Sequence, residues 1–142
     1  MKTYSADQVS LSIANVPITG GFADGEFVKI EHESDRWTDV VGTDGEVTRC
    51  KTNDRRATVT VLLMQTSTDN DLLSALALID DVTPGGAGVG ELLIRDRLGT
   101  TIFSAEAAWI AKTPDATFDR EAKAREWKIR CERLDEHQGG NF

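Results

Sequence analysis

The chain has 142 residues, of which 39% are hydrophobic and 28% charged, a balance typical of one folded domain rather than of a disordered chain. Its 24 acidic and 16 basic residues give a formal net charge of −8, which disfavours binding to nucleic-acid phosphates and to anionic membranes. No stretch approaches the ~18 apolar residues of a membrane helix and the start of the chain is polar, so we expect no membrane anchor, no signal peptide and folding in a cytoplasm.

The first third of the chain has the two-residue periodicity of strands. Apolar residues alternate with small ones from Val9 to Ala14, and with charged ones from Phe27 to Glu33. Three glycines between Ile18 and Gly25 predict a turn. Trp37 to Val41 and Glu46 to Lys51 flank an Asp-Gly pair, which is typical of a hairpin. The β-branched run Ala57 to Met64 is the strongest strand candidate.

One helix is predicted, from about Asp69 to Asp81. Four apolar residues have the spacing of one helical face, which we expect to pack on a sheet: Leu72, Ala75, Leu76 and Ile79. Thr68 is placed to cap the helix. The carboxylate of Asp71, three residues later, interacts favourably with the positive end of the helix dipole. Asp80 and Asp81 lie at the negative end of the helix dipole, so we expect them to face a cation elsewhere.

Four further strands are predicted after the glycine-rich loop: Glu91 to Arg95, Thr100 to Ala111, Ala116 to Glu121, and Ala124 to Asp135. The last of them directs Trp127, Ile129 and Cys131 to one side. The tail His137 to Phe142 is polar and rich in glycine, so we expect both ends of the chain to be flexible. The pattern predicts one mainly β domain over residues 1–142, with two packed antiparallel sheets, as a sandwich or barrel, and one helix.

No residue pattern supports catalysis, a metal site or a cofactor. The two histidines, His32 and His137, are far apart in sequence, and Cys50 and Cys131 have no partner at zinc-finger spacing. Two cysteines in a chain that folds in a cytoplasm make no disulfide framework, so we expect free thiols. The glycine-rich segment 84–90 follows a helix and precedes a strand, which is the reverse of a phosphate-binding loop. We therefore predict that the protein is not an enzyme.

Segments in order along nearly the whole chain resemble the tail tube subunits of bacteriophages with contractile tails. The most specific are Met64-Gln65-Thr66-Ser67, leading into the helix, and Ile94-Arg95-Asp96-Arg97. The others are Ala23-Asp24-Gly25, Val41 to Glu46 with Arg49, Asn70-Asp71, Leu73 to Leu76, Gly99, Trp109-Ile110 and Arg125-Glu126-Trp127.

The resemblance implies two packed β-sheets with one helix, in subunits that form six-fold rings stacked head to tail. It implies a homo-oligomer that meets tail sheath, baseplate and tail terminator proteins in the virion, after assembly in the host cytoplasm. DNA would pass through the lumen without specific binding. Two alternatives remain open, which are the tube of a contractile bacteriocin or secretion-like device and a monomeric β-barrel binding module.

Six charged residues are the candidates for contact between subunits: Asp44, Arg49, Arg55, Arg56, Asp80 and Asp81. The segment from Trp37 to Arg56 is dense in charge of both signs, and a two-stranded hairpin alone buries too little to be stable in water. We therefore expect this hairpin to lie on a neighbouring subunit, where opposite charges would set register and partner choice. The alternative is a solvated surface hairpin.

Overall fold

The computed structural model describes all 142 residues and contains ten strands and one α-helix. A short 3₁₀ turn, Ala6–Gln8, comes first. The elements are β1 (Val9–Ile13), β2 (Val16–Ile18), β3 (Val28–His32), β4 (Trp37–Val41), β5 (Val47–Lys51), β6 (Ala57–Met64), α1 (Asp69–Val82), β7 (Gly90–Asp96), β8 (Ile102–Lys112), β9 (Ala124–Cys131) and β10 (Asp135–His137).

The strands form two antiparallel sheets. The larger sheet has the order β2-β1-β7-β8-β9-β6-β3, and β10 also pairs with β8. Strands β4 and β5 pair only with each other and form the second sheet. The prediction of a mainly β fold with two antiparallel sheets and one helix is therefore confirmed. Buried residues from strands across the larger sheet belong to one apolar cluster, which is the core.

That core is built by alternation along the strands. The β-branched run predicted as the strongest strand is β6, and its Ala57, Val59, Val61 and Leu63 are all fully buried. On β9, Trp127, Ile129 and Cys131 point into the same cluster, which confirms the predicted inward face of this strand. Full burial of a valine, leucine or isoleucine side chain contributes about 1.5–3 kcal/mol to the free energy of folding.

The turn between β1 and β2 has an unusual backbone. Ala14 and Asn15 both have positive φ, +49° and +66°, the combination that matches the twist of a two-residue hairpin. The start of β7 lies against this turn, and a Cβ on Gly90 would be 2.4 Å from the Cβ of Ala14. Only glycine fits at position 90 because the turn takes the space of a side chain.

Three strand predictions need correction. Ala116 to Glu121 is a loop, since no strand of either sheet pairs with it and a strand requires a partner ladder. The last predicted strand ends at Cys131, and a separate strand, β10, follows it. Strand β2 was not predicted, and it ends at Ile18, where the predicted turn begins. Its Pro17 is tolerated because β2 is an edge strand.

The C-terminal segment makes defined contacts with the larger sheet. The Asn141 side-chain amide donates to the Asp96 carboxylate at 3.0 Å, and the Phe142 backbone N–H donates to the Leu98 carbonyl at 3.0 Å. Flexibility of the two chain ends stays a prediction.

Candidate subunit-interaction surfaces

The β4–β5 hairpin, called the arm below, is the most exposed element of the fold. All ten of its strand residues are exposed, including Trp37, Val40, Val41 and Val47. Gly45 turns the chain at φ +88°, and the Asp44 carboxylate accepts the Glu46 backbone N–H at 3.1 Å. This confirms the predicted hairpin and gives Asp44 a local role in its turn.

The two faces of the arm differ in chemistry. Directly paired residues share a face, so Trp37, Val41, Val47, Arg49 and Lys51 lie on one side together with Asp39. The Arg49 guanidinium lies 3.8 Å from the centre of the Trp37 ring, a cation–π contact that holds both side chains. The opposite face carries no charge and consists of Thr38, Val40, Thr48 and Cys50.

Asp54 organises the base of the arm. Its carboxylate accepts two hydrogen bonds from the Arg56 guanidinium, at 2.9 and 3.0 Å, and one from the Ser34 hydroxyl at 2.7 Å. These bonds, first those from Arg56 and then that from Ser34, hold the pKa of the Asp54 carboxyl well below its usual range. Arg56 is therefore paired within its own subunit, whereas the half-buried Arg55 makes no side-chain hydrogen bond or ion pair.

The helix start is held by side chains that sequence reasoning did not single out. Thr68 makes no capping hydrogen bond; the backbone N–H of Asp69 instead donates to the Ser67 hydroxyl at 3.3 Å. The buried Asp69 carboxylate accepts the backbone N–H groups of Thr19 and Gly20 at 3.0 and 3.2 Å. The predicted Thr68 cap is wrong because Thr68 has helical backbone angles, whereas an N-cap residue is normally extended.

The helix packs on the core through a different face from the one predicted. Leu73 is fully buried and Leu76 packs against the core cluster, while Leu72 and Ile79 are 47% and 50% exposed. Asn70 lies on the inner side, where its side-chain oxygen accepts the Trp127 indole N–H at 2.9 Å. The predicted Leu72, Leu76 and Ile79 face is therefore wrong except at Leu76.

Asp80 and Asp81 have different surroundings. The Asp80 carboxylate accepts the backbone N–H groups of Ala87 and Gly88, both at 3.0 Å, and so closes the glycine-rich loop onto the helix. Asp80 was expected to face a cation, but its negative charge is instead compensated by these two N–H dipoles. Asp81 is exposed and makes no side-chain hydrogen bond or ion pair.

The six candidate interface residues thus belong to three places in the fold. Asp44 and Arg49 lie on the arm, Arg55 and Arg56 at its base, and Asp80 and Asp81 near the end of α1. Asp81 and Arg55 remain free to contact a partner, and an interface role for any of the six stays a prediction. The sequence reasoning missed the exposed apolar residues Leu78 and Val82.

The structure shows no group of three or more metal-ligating side chains. His32 lies against Glu136, with 3.0 Å between the imidazole Nε2 and a carboxylate oxygen. No helix in the fold is long and apolar enough to cross a membrane.

Comparison with known proteins supplies the family. The family model described as Bacteriophage PhiTE tail tube protein matches residues 1–139. The chain belongs to this tail tube family. A curated relative, Structural protein ORF10 of Pseudomonas phage KPP10, is 32% identical over 145 aligned positions, covering 98% of this chain and 83% of that protein. The tail tube protein is thus a structural protein of the phage tail tube type, and the prediction that it is not an enzyme is confirmed.

Solved structures with low sequence identity share the fold of this tail tube protein. The tube-terminating cap of the anti-feeding prophage has a TM-score of 0.61 at 10% identity, covering 99% of this chain and 93% of that one. The sheath/tube terminator of an extracellular contractile injection system has a TM-score of 0.64 at 10% identity, covering 97% of this chain and 99% of that one. A chain of the sheath–tube complex of such a system has a TM-score of 0.60 at 11% identity, covering 97% of this chain and 93% of that one.

Proposed function

We propose that this protein is the repeating subunit of a phage tail tube, in six-membered rings stacked head to tail around a channel through which DNA passes during genome ejection. The observation that carries this proposal is the arm, in which Trp37 and three valines are exposed on a two-stranded sheet. Two strands alone are marginally stable in water, so such an element needs a surface to lie on. A neighbouring subunit supplies that surface.

The free edges of the larger sheet support closure into a ring. Strands β2 and β3 end the strand order, so each presents unpaired backbone groups on one side. Edges of this kind invite pairing with another chain, and a closed arrangement of subunits removes them. A head-to-tail contact whose rotation closes produces a ring rather than an open chain.

The charge of the subunit fits a channel for DNA. With a net charge of −8, the protein repels phosphates and releases no counterions on contact, so DNA would slide without specific binding. The same proposal gives the subunit a tail sheath around it, a baseplate at one end and a terminator at the other, after assembly in the host cytoplasm. Structural likeness to a sheath–tube complex and to two tube terminators supports these partners.

Negative-stain microscopy and analytical ultracentrifugation of the purified protein test the proposal. Long tubes with six subunits per ring are the expected result. Single rings that never lengthen would instead indicate a terminator-like role. A strict monomer at all concentrations, together with its absence from tubes in virions, would overturn the proposal in favour of a monomeric binding module.

A second candidate is the tube of a contractile bacteriocin or injection device, which carries no genome. The likeness to the anti-feeding prophage and to an extracellular contractile injection system favours it, while the family match favours a phage. The neighbouring genes separate the two, because capsid and terminase genes are expected beside a phage tail gene and not beside a bacteriocin gene.

A further inference from the structure

The helix α1 has a second apolar face, which is largely exposed in the subunit. Leu72, Leu78, Ile79 and Val82 are 47%, 60%, 50% and 67% exposed. At 100° per residue these side chains, with Ala75, cover a continuous stripe about 120° wide, opposite the inward Leu73. A stripe of this width is normally buried, so this outer face of α1 is a docking surface.

The segment of chain that carries this face is acidic. From Gln65 to Ile94 the chain has five acidic residues and no lysine or arginine. Asp71 lies within the stripe and Asp81 about 60° beyond the side marked by Leu78, and both are exposed. The groove between α1 and the end of β8 extends the surface; its one base, Lys112, already lies 3.4 Å from Asp115. The complementary partner is therefore apolar and carries basic side chains.

One face of the arm has this chemistry. It presents Val41 and Val47 near the tip and Trp37 near the base, and it carries two bases, Arg49 and Lys51, against the single acid Asp39. Its five-residue ladder spans four steps, or about 14 Å at the rise of a strand. The stripe from Leu72 to Val82 is about 15 Å long at the rise of a helix, so the two surfaces match in length.

We infer that the arm of one subunit lies along the outer face of α1 of another copy of this chain. In this contact Val41 and Val47 cover the helix stripe, and Arg49 and Lys51 face Asp71 and Asp81. The inference rests on the proposed tube function and names which surface receives the arm. The apolar stripe of α1 and one face of the arm then become buried in one repeated contact, which is heterologous and propagates from copy to copy.

Charge exchange between the two surfaces tests the inference. The arm variant Arg49→Glu/Lys51→Glu and the helix variant Asp71→Lys/Asp81→Lys place like charges together, which costs several kcal/mol in an interface. Each should raise the concentration needed for assembly by at least about tenfold. The four-substitution variant restores opposite charges, so it should assemble at close to the wild-type concentration. Glu121→Lys/Glu132→Lys, which changes two exposed acids elsewhere, is the control that matches the net charge of the helix variant.

A disulfide between copies gives an independent readout. In a Cys50→Ser background, Val47→Cys protein is mixed with Ile79→Cys protein, assembled and oxidised. A covalent dimer of the two should form in tubes and not in the unassembled mixture. Val40→Cys replaces Val47→Cys as the control, because Val40 lies on the opposite face of the arm.

The outcomes separate this inference from the proposed function. If the wild-type protein forms no rings or tubes, the proposed function fails. If it forms tubes while the folded helix variant assembles normally, or if the four-substitution variant is no better than either double variant, the arm does not lie on α1. Normal tubes from the helix variant that have lost only the binding of sheath protein would assign the outer face to the sheath and overturn the inference. Circular dichroism of each unassembled variant confirms that it is folded.

Discussion

Burial alone gives the two cysteines different chemistry. Neither forms a disulfide, as the sequence predicts; Cys50 is exposed on the uncharged face of the arm, and Cys131 is buried at the end of β9. Desolvation raises the pKa of the Cys131 thiol from 9.0 to about 11. Because the thiolate is the reactive form, Cys131 is protected by its suppressed ionisation as well as by its buried position.

A first prediction at this scale concerns thiol reactivity. At neutral pH the unassembled protein should react with one equivalent of a thiol reagent, at Cys50, and in denaturant with two. Cys50→Ser should remove the fast-reacting thiol and leave the second unchanged. A single reactive thiol in denaturant without reductant would mean that the cysteines are not both free.

A second prediction follows from the sign of the Cys131 shift. The unfolded thiol ionises near pH 9.0 and the folded one near 11. The stability contributed by keeping Cys131 neutral is therefore complete below pH 9 and is lost as the pH rises toward 11. The free energy of unfolding, measured by urea titration, should fall over this window, and the fall should be smaller in Cys131→Ala. Equal slopes for the two proteins would contradict the assignment.

At the scale of elements, α1 illustrates what periodicity leaves open. The sequence predicts a helix from Asp69 to Asp81, and the structure has one from Asp69 to Val82. The choice of face failed because the helix has two apolar stripes, and spacing alone does not say which of them meets the sheet. The local signal for the inner stripe is polar, since the buried Asp69 and the half-buried Asn70 form hydrogen bonds to groups outside the helix.

A third prediction compares two neighbouring leucines of this helix. Leu73→Ala should lower the free energy of unfolding of the unassembled subunit by about 2–5 kcal/mol, because the side chain is fully buried. Leu72→Ala should change it by less than roughly 0.5 kcal/mol, as for an exposed position. Thermal or urea unfolding measures both. A similar loss for the two would mean that Leu72 also packs within the subunit.

The strands were predictable where one side faces the core. Alternation grouped the buried residues of β1 and β9, because burial of one face imposes a period of two, while β6 was predicted from its β-branched residues. It failed for Ala116 to Glu121, since alternation reports a pattern of side chains and not the presence of a pairing strand. It also missed the three-residue β2, which is too short to show a period.

At the scale of the whole molecule, function depends on surfaces that a single subunit leaves uncovered. The arm and its charges could be inferred from the sequence, because a hairpin with so many charges has little to bury. The second face of α1 could not, because an apolar stripe on a helix normally predicts contact with its own core.

A fourth prediction concerns the arginine pair at the base of the arm. Arg55→Glu/Arg56→Glu should block tube formation while the subunit stays folded, as seen by microscopy and circular dichroism. Since Arg56 already binds Asp54 in its own subunit, Arg55→Glu alone is the sharper test of contact between subunits. Normal tubes from the double variant would leave both arginines as solvated surface groups.

The contact between Gly90 and the β1–β2 turn restricts how this family can vary. A side chain at position 90 would meet the Cα as well as the Cβ of Ala14, at 2.5 and 2.4 Å, so even a glycine at position 14 would not make room for it. The two sites are therefore not independent during evolution. Among tail tube relatives, residues other than glycine at this site should occur only in chains whose first hairpin turn differs in length.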